Sequence, residues 1–195
     1  MNSEKLNIND SFNANTIKSP TLPIDHLGLK GKYHFQCFDC HGNLKWEDTI
    51  DNLVVNVGKN LTLDTIMAGA AYTVTGPFMG LVSSVGYSAI VAGDTMASHA
   101  GWTEAGLANA PTYTAPRKTV VFNAASAGSK TTTAALSFAI TGAGTVKGAF
   151  IVLGTGAVST IDNTAGVLFS SGLFTGGDRP VVNTDTLNVA YTVSA

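Results

Sequence analysis

The chain has 195 residues, a formal net charge of −2 and 45% hydrophobic residues, which suits one domain with a sizeable core. This charge balance excludes a strong electrostatic attraction to nucleic acid or to anionic lipid. The two cysteines cannot form a disulfide framework. Because no basic patch followed by an apolar run opens the sequence, we expect no secretory signal and folding in the cytoplasm of the producing cell.

Ionisable side chains are distributed unevenly along the chain. Residues 1–64 hold 14 of the 24 Asp, Glu, Lys and Arg residues, whereas residues 119–195 hold six. In the second region Ala, Gly, Ser, Thr, Val and Phe take the place of charge. Because soluble monomers keep about a quarter of their surface charged, this deficit predicts a surface that other protein covers, as in an assembly subunit.

The first 30 residues have the composition of an extended arm. They are rich in Asn, Ser, Lys, Asp and Pro, and Leu22, Ile24, Leu27 and Leu29 are scattered among polar residues without a sustained period. Such a segment buries too little apolar surface to fold alone. We therefore expect residues 1–30 to become ordered against a partner; a frayed terminus without a role is the alternative.

A hairpin is predicted directly after the arm. Tyr33, Phe35 and Cys37 alternate with more polar residues, which is the period of a strand. Residues 41–43 (His-Gly-Asn) predict a turn, and residues 44–48 a return strand.

One short helix is predicted after the hairpin. Residues 52–57 are expected to form a third strand, which residues 58–60 (Gly-Lys-Asn) break. Leu63, Ile66 and Met67 then have helical spacing, so the helix should end near residue 69.

The longest stretch without charge, residues 65–93, is long enough to cross a membrane. It contains Pro77 and five glycines, and its apolar residues come in short bursts. This pattern predicts strands and turns, and no membrane partner.

The remaining sequence predicts short strands separated by Gly, Asn, Asp or Ser. About nine or ten strands without alternating helices indicate an all-β, antiparallel β-sandwich or jelly-roll-like domain over residues 31–195. Sheet edges are normally protected by charge, so the missing charge predicts that neighbouring subunits cover them. The expected strands are residues 77–83, 87–91, 119–123, 134–140, 146–153, 166–170 and 187–193.

Cys37, Cys40 and His41 match the C-x-x-C-H pattern of haem attachment. The same cysteines could hold zinc if two ligands came from the chain's histidines, His26, His34, His41 and His99. A third alternative is a buried Cys37 beside a turn residue Cys40. We favour this last interpretation and expect no cofactor, because haem attachment accompanies export and the zinc set lacks a nearby fourth ligand.

Residues 94–104 are the densest polar stretch of the second half. Asp94, Ser98, His99 and Glu104 could form part of a hydrolytic site, but a Ser-His-Asp triad is defined in space and no Gly-x-Ser-x-Gly motif surrounds Ser98. We predict a structured loop in which Asp94 caps a turn and Trp102 packs as an anchor. No enzyme activity is expected.

Several motifs together resemble virion structural proteins of tailed bacteriophages. They are GDTMASHAGWTE at residues 93–104, Tyr113 and Arg117, Ala149-Phe150, GVLFS at residues 166–170, HGNLKWEDTIDNLVVNVGKNLTLDTIMAG at residues 41–69, and DTLNV at residues 185–189. The resemblance covers about residues 31–195.

The resemblance implies a capsid decoration (cement) protein, or a related head or tail accessory protein. Such proteins are β-rich and bind the outer surface of the major capsid protein shell as dimers or trimers, and no catalytic residues are implied. We expect contacts at the residues that carry the resemblance: Asp94, His99, Trp102, Glu104, Tyr113 and Arg117.

Two rival functions remain open. A tail or fibre component that binds host glycans would expose an aromatic platform, formed by Trp102 with Tyr113. A metal- or haem-binding redox protein would use Cys37, Cys40 and His41.

Overall fold

The computed structural model describes residues 28–67 and 75–195. They form one mostly β unit, an antiparallel, strongly curled sheet with one short helix. The all-β class, the antiparallel pairing and the single helix predicted from sequence are therefore confirmed. The predicted arm, residues 1–30, lies outside the described residues except for its last three positions.

Twelve strands and one helix follow each other along the chain. In order they are β1 Lys30–Phe38, β2 Leu44–Val54, α1 Asn56–Ile66, β3 Phe78–Ser83, β4 Glu104–Ala105, β5 Thr112–Tyr113, β6 Lys118–Thr119, β7 Ser129–Thr131, β8 Leu136–Gly142, β9 Gly144–Leu153, β10 Val167–Leu173, β11 Arg179–Val181 and β12 Thr186–Ser194. Among these residues no helix combines the length and the hydropathy needed to cross a membrane.

Strand β2 joins the two halves of the sheet. The strand order is β4-β3-β9-β10-β2-β1-β12-β8-β5, with β6, β7 and β11 paired beside β3, β12 and β9. Residues 44–51 of β2 pair with β1, whereas residues 52–54 pair with β10. The two ends of this order meet at an isolated bridge between Gly106 and Thr112. The sheet therefore curls until its terminal strands approach each other.

Strands β1 and β12 lie at the centre of one half and confirm the period-2 predictions. In their antiparallel register Tyr33 pairs with Tyr191, and Cys37 with Leu187. These side chains, together with Phe35, are almost fully buried. They form part of a cluster that fills the inside of the curl, which we call the inner core.

A second cluster, the outer core, covers the opposite face of β3, β9 and β10. Ala149 and Ile151 of β9 belong to the inner core, whereas Phe150 and Val152 belong to the outer core. Burial on both faces explains why β9 ends in a continuous apolar run. The outer core is closed by residues 84–103, the outer segment, which contributes Met96 and Trp102 and connects β3 to β4.

The helix was predicted correctly in kind but not in extent. It begins at Asn56, where the backbone N–H donates to Ala92 O, and the predicted break at residues 58–60 lies inside it. Gly58 is buried against β10, because a Cβ there would lie 2.4 Å from Phe169 O. The expected third strand is likewise wrong, since residues 52–54 extend β2. Gly58 therefore allows α1 to pack closely against β10 and does not end the helix.

Other strand predictions differ from the structure in the short elements. Residues 87–91 form no strand and belong to the outer segment. Of the predicted strand at 119–123 only Thr119 lies in a strand, β6, and Phe122 forms an isolated bridge. Strands β4, β5, β7 and β11 were not predicted, and each is two or three residues long. Such short pairings leave too few alternating positions to be recognised.

The edges of the sheet are protected by the chain itself. Both terminal strands, β4 and β5, have only two residues, and Pro111 precedes β5. Very short edge strands and proline are devices that block pairing with another chain. These devices protect the two terminal strands, and coverage of the sheet edges by a neighbouring subunit stays a prediction.

Candidate functional site

The outer segment is anchored by Asp94 and Trp102. Asp94 Oδ2 accepts hydrogen bonds from Val91 N at 3.0 Å and from Trp102 Nε1 at 3.1 Å. The indole is 1% exposed, and its ring centroid lies 5.2 Å from that of Phe150. Because the carboxylate caps the turn and orients the indole, both predicted roles are confirmed.

His99 packs on the same indole. Its ring is stacked on Trp102 with 4.1 Å between ring centroids, and its Nδ1 lies 3.0 Å from Trp102 O. A carbonyl oxygen only accepts, so Nδ1 carries the proton in this bond. The imidazole thus orders the loop, and the backbone of neighbouring Ser98 pairs with Thr95.

Glu104 and Arg117 form a buried ion pair beside this loop. Arg117 donates from Nε to Glu104 Oε1 at 2.8 Å and from Nη2 to Oε2 at 2.6 Å. Further donations go to Asn163 O at 2.7 Å and to Val158 O at 3.2 Å. Asp162 N donates to Glu104 Oε2 at 2.8 Å. The pair therefore connects β4, the start of β6 and the 158–163 loop.

Phe150 links the ion pair to the indole. The Arg117 guanidinium carbon lies 5.4 Å from the centroid of the Phe150 ring, which also contacts Trp102. Burial raises the pKa of Glu104, while its bonds to Arg117 act in the opposite direction. Because a guanidinium stays protonated, we expect the carboxylate to remain ionised and paired.

Tyr113 faces the inner core. It is 3% exposed, and its ring meets Phe138 edge-on at 5.0 Å. Gly106 makes room for it, because a Cβ there would lie 2.5 Å from Tyr113 Cε1. Burial raises the pKa of Tyr113, and its hydroxyl has no hydrogen-bond partner. The structure thus brings five of the six predicted contact residues together around the outer core and places Tyr113 behind them.

A small cavity of about 150 Å³ lies beside the ion pair. It is lined by His99, Glu104, Asn109, Arg117 and Asp162, among others. The carboxylate and guanidinium that could act chemically are already bonded to each other, so the arrangement is suited to holding loops together.

The rings of Trp102 and Tyr113 are not available as a surface platform. They are 1% and 3% exposed and belong to different cores. The aromatic pair expected for glycan binding is therefore not formed at the surface, because both rings serve folding.

The cysteine motif is split between the core and the solvent. Cys37 is buried in β1, and burial raises the pKa of its thiol to about 12. Cys40 is exposed in the hairpin turn, where its Sγ lies 3.3 Å from His41 Nδ1. Asp39 closes this turn by accepting from His41 N and Asn43 N. Within residues 28–67 and 75–195 no group of three or more potential metal ligands comes together.

All six ionisable side chains of residues 119–195 have partners within the chain, which the sequence could not show. Asp162 Oδ2 accepts from Ala108 N, and Lys130 Nζ lies 5.6 Å from the Phe122 ring centroid. The other four form ion pairs, namely Lys147 with Asp178, Arg179 with Asp48, and Asp185 with Lys45. The three ion pairs join residues that are 31, 131 and 140 positions apart, so local sequence patterns could not predict them.

The cluster around Phe150 has the geometry of a structural centre. Its ionised groups are paired, its indole is buried, and its cavity is small. Five of the residues predicted as contacts lie close together in this cluster, and their role in binding a partner stays a prediction. Comparisons of the chain with protein-family models, curated proteins and solved structures found no match.

Proposed function

We propose that the chain is a phage capsid decoration (cement) protein that binds the outer surface of the major capsid shell and stabilises the head. One observation carries this proposal. The ionisable groups of residues 119–195 are all engaged within the chain, so this region offers mainly neutral groups to a partner. Contacts with the shell would then be apolar and hydrogen-bonded.

Exposed apolar side chains at the end of α1 support an interaction surface. Leu63, Ile66 and Met67 are 52%, 64% and 76% exposed. Adjacent exposed apolar residues are typical of contact sites between proteins. We assign this end of α1 to the contact with the major capsid protein or with a second copy in a dimer or trimer. Symmetry-related copies would add many modest contacts.

The sandwich or jelly-roll-like architecture is part of this proposal. The β1-β2-β12-β8 half and the β3-β9-β10 half contribute side chains to the same inner core. Two sheet halves packed over a shared core are the essential feature of a sandwich. Such a rigid unit is suited to bridging junctions between shell subunits.

The arm, residues 1–30, would extend along the shell or a neighbouring copy. Its composition favours ordering upon binding. No observation favours the tail or fibre alternative over this proposal, because the ring pair that would bind a glycan is buried. A cell-surface glycan array tests that alternative directly.

The capsid proposal is tested on purified phage heads that lack the chain. Full-length protein is added, and the heads are imaged by cryo-EM. We expect density at symmetry-related positions on the outer surface, with occupancy that persists between about 0.1 and about 1 M salt, since screening acts on exposed charges. Density confined to tails, or no binding to heads, would contradict the proposal.

A matched pair of variants tests the assigned surface. Ile66→Asp places a charge at the exposed apolar end of α1 and should lower occupancy on heads. Asn60→Asp places the same charge at an exposed polar position of the same helix and should leave occupancy unchanged. Equal occupancy for both variants would remove α1 from the contact.

A further inference from the structure

The cavity of about 150 Å³ beside Glu104 and Arg117 lies where several parts of the chain meet. It is lined by the outer segment, by the start of β4, by the loop before β5 and by residues 162–164. Sites for drug-sized ligands usually measure about 300–1,000 Å³. The cavity therefore suits a group of a few atoms, placed beside two charged side chains that are 4% and 1% exposed.

The ionisable side chains that line the cavity carry an excess of negative charge. Glu104 and Asp162 contribute two carboxylates and Arg117 one guanidinium, which leaves a sum of −1 when the imidazole of His99 is counted as neutral. Glu104 and Arg117 balance each other in their ion pair. The charge of Asp162 is left over, so the cavity favours a cation over an anion.

Most hydrogen-bond donors of the lining are already engaged. Arg117 directs four of its five N–H groups at protein oxygen atoms. Trp102 Nε1 donates to Asp94 Oδ2, and the Thr103 hydroxyl donates to Val85 O. Within the described part of the chain, donors without a hydrogen bond remain on three lining side chains, Arg117, Asn163 and Thr164.

Three other lining side chains keep hydrogen-bond acceptors. Because His99 Nδ1 donates to Trp102 O at 3.0 Å, its Nε2 carries a lone pair. Asn109 Nδ2 donates to Glu104 O at 3.1 Å, which leaves the amide oxygen Oδ1 as an acceptor. Asp162 Oδ2 accepts from Ala108 N at 3.4 Å, whereas Oδ1 accepts no hydrogen bond from residues 28–67 and 75–195. This set suits a ligand that combines positive charge with several N–H donors.

We propose that the cavity binds a primary ammonium group. Its three N–H donors match the acceptors of His99, Asn109 and Asp162, and its charge balances the carboxylate that the ion pair leaves over. A small free amine and the lysine side chain of a partner protein both carry this group, and the experiment below separates them. The inference does not depend on the function proposed above.

An NMR titration of the full-length protein with ethylammonium chloride tests the binding. The chain has two tryptophans, so a Trp46→Phe variant assigns the indole N–H signal of Trp102, which lines the cavity. This signal should shift saturably up to about 0.1 M ligand at constant ionic strength. Potassium chloride supplies the same charge without N–H donors and should cause no saturable shift.

Three results of this titration would overturn the proposal. They are the absence of a saturable shift with ethylammonium, an equal shift with potassium, and a saturable shift with sodium phosphate in place of ethylammonium. The last result would assign the cavity to anions.

A matched pair of variants tests the role of the carboxylate. Asp162→Asn removes the charge and should weaken ethylammonium binding at least about tenfold. Asparagine suits this position, where φ is 62°, because it tolerates the left-handed backbone. Asp178→Asn removes a carboxylate that pairs with Lys147 outside the cavity, so it should leave the affinity unchanged. Wild-type affinity in a folded Asp162→Asn variant would contradict the assignment.

The amide-blocked lysine Nα-acetyl-lysine methylamide identifies what carries the ammonium group. Binding within about threefold of ethylammonium would show that the cavity admits a lysine side chain, as a partner protein would present it. Binding weaker by more than about tenfold would assign the cavity to a free amine. Both results require that the ammonium group binds.

Discussion

Arg117 holds both carboxylate oxygens of Glu104, at 2.8 Å and 2.6 Å, although the two side chains are 0% and 4% exposed. The pair lies against Phe150. Arg117 also donates hydrogen bonds to Val158 O and Asn163 O, and Glu104 accepts one from Asp162 N. Two charges removed from water stabilise a fold only when such additional bonds satisfy them. The two charges therefore stabilise the fold only together, because removing either side chain leaves the charge of the other buried without a partner.

The first prediction concerns this pair. Glu104→Gln leaves the Arg117 charge uncompensated and should lower the free energy of unfolding by about 3–5 kcal/mol in urea titrations. Combining it with Arg117→Met should cost less than the sum of the single changes. Asp51→Asn is the control, because its pair with Lys32 is 80% and 65% exposed and contributes about 1 kcal/mol or less. A similar cost for Glu104→Gln and Asp51→Asn would contradict the assigned role.

The second prediction concerns the anchor of the outer segment. In a Trp46→Phe background, Trp102 emission should be blue-shifted and resist acrylamide quenching, because the indole is 1% exposed. Trp102→Ala should lower the free energy of unfolding by about 3–5 kcal/mol. Red-shifted, readily quenched emission from Trp102 would show that the outer segment is not closed on the sheet.

The third prediction reverses a general rule. Gly→Ala inside a helix usually stabilises by about 1 kcal/mol, but Gly58→Ala would place its Cβ 2.4 Å from Phe169 O. We expect destabilisation of about 1–3 kcal/mol from the forced separation of α1 and β10. The neighbouring exposed position gives the control, since Lys59→Ala should change stability little. Stabilisation by Gly58→Ala would refute the close contact.

The fourth prediction is a loss of stability at alkaline pH. Burial raises the pKa of the Cys37 thiol and of the Tyr191 phenol, each to about 12. Above about pH 9 for the thiol and about pH 10 for the phenol, the unfolded chain loses the proton while the folded chain keeps it, so stability falls by up to about 1.4 kcal/mol per pH unit for each group. Stability from this source is complete below about pH 8.5 and lost as pH rises towards 12.

Urea titrations between pH 8 and 11 measure the slope. Cys37→Ala should give a shallower decline, whereas Cys40→Ala should retain the wild-type slope because that thiol is exposed. If Cys37→Ala left the slope unchanged, the buried thiol would not be a source of the pH dependence.

The long strands were predictable because their side chains follow a period that the core enforces. Tyr33, Phe35 and Cys37, and likewise Leu187, Val189 and Tyr191, alternate with more exposed residues in both sequence and structure. The helix was recognisable from Leu63, Ile66 and Met67, yet these residues are exposed and Gly58 makes the buried contact. Periodicity thus located the helix but misidentified its packed face.

Of the residues that were singled out as expected contacts, only Trp102 was predicted to pack in the interior, whereas Glu104 and Arg117 are buried as well. Asp94 and Trp102 are close enough in sequence for turn chemistry to be inferred. Glu104 and Arg117 are 13 residues apart and meet only because two short strands lie on the same half of the sheet. The same limit applies to Arg179 and Asp48, 131 residues apart, whose pairing depends on the complete fold.

Residues 28 and 29 lead directly into β1, so a load applied at the N-terminal side of the chain would enter the fold through this strand. All nine residues of β1 pair with β12, and most also pair with β2 on the other side. A pull on the arm along the strand would shear both ladders at once, so many hydrogen bonds must break together. A tether attached to an edge strand would peel away one pair at a time. A load that enters through β1 along the strand would therefore be shared between two ladders of hydrogen bonds.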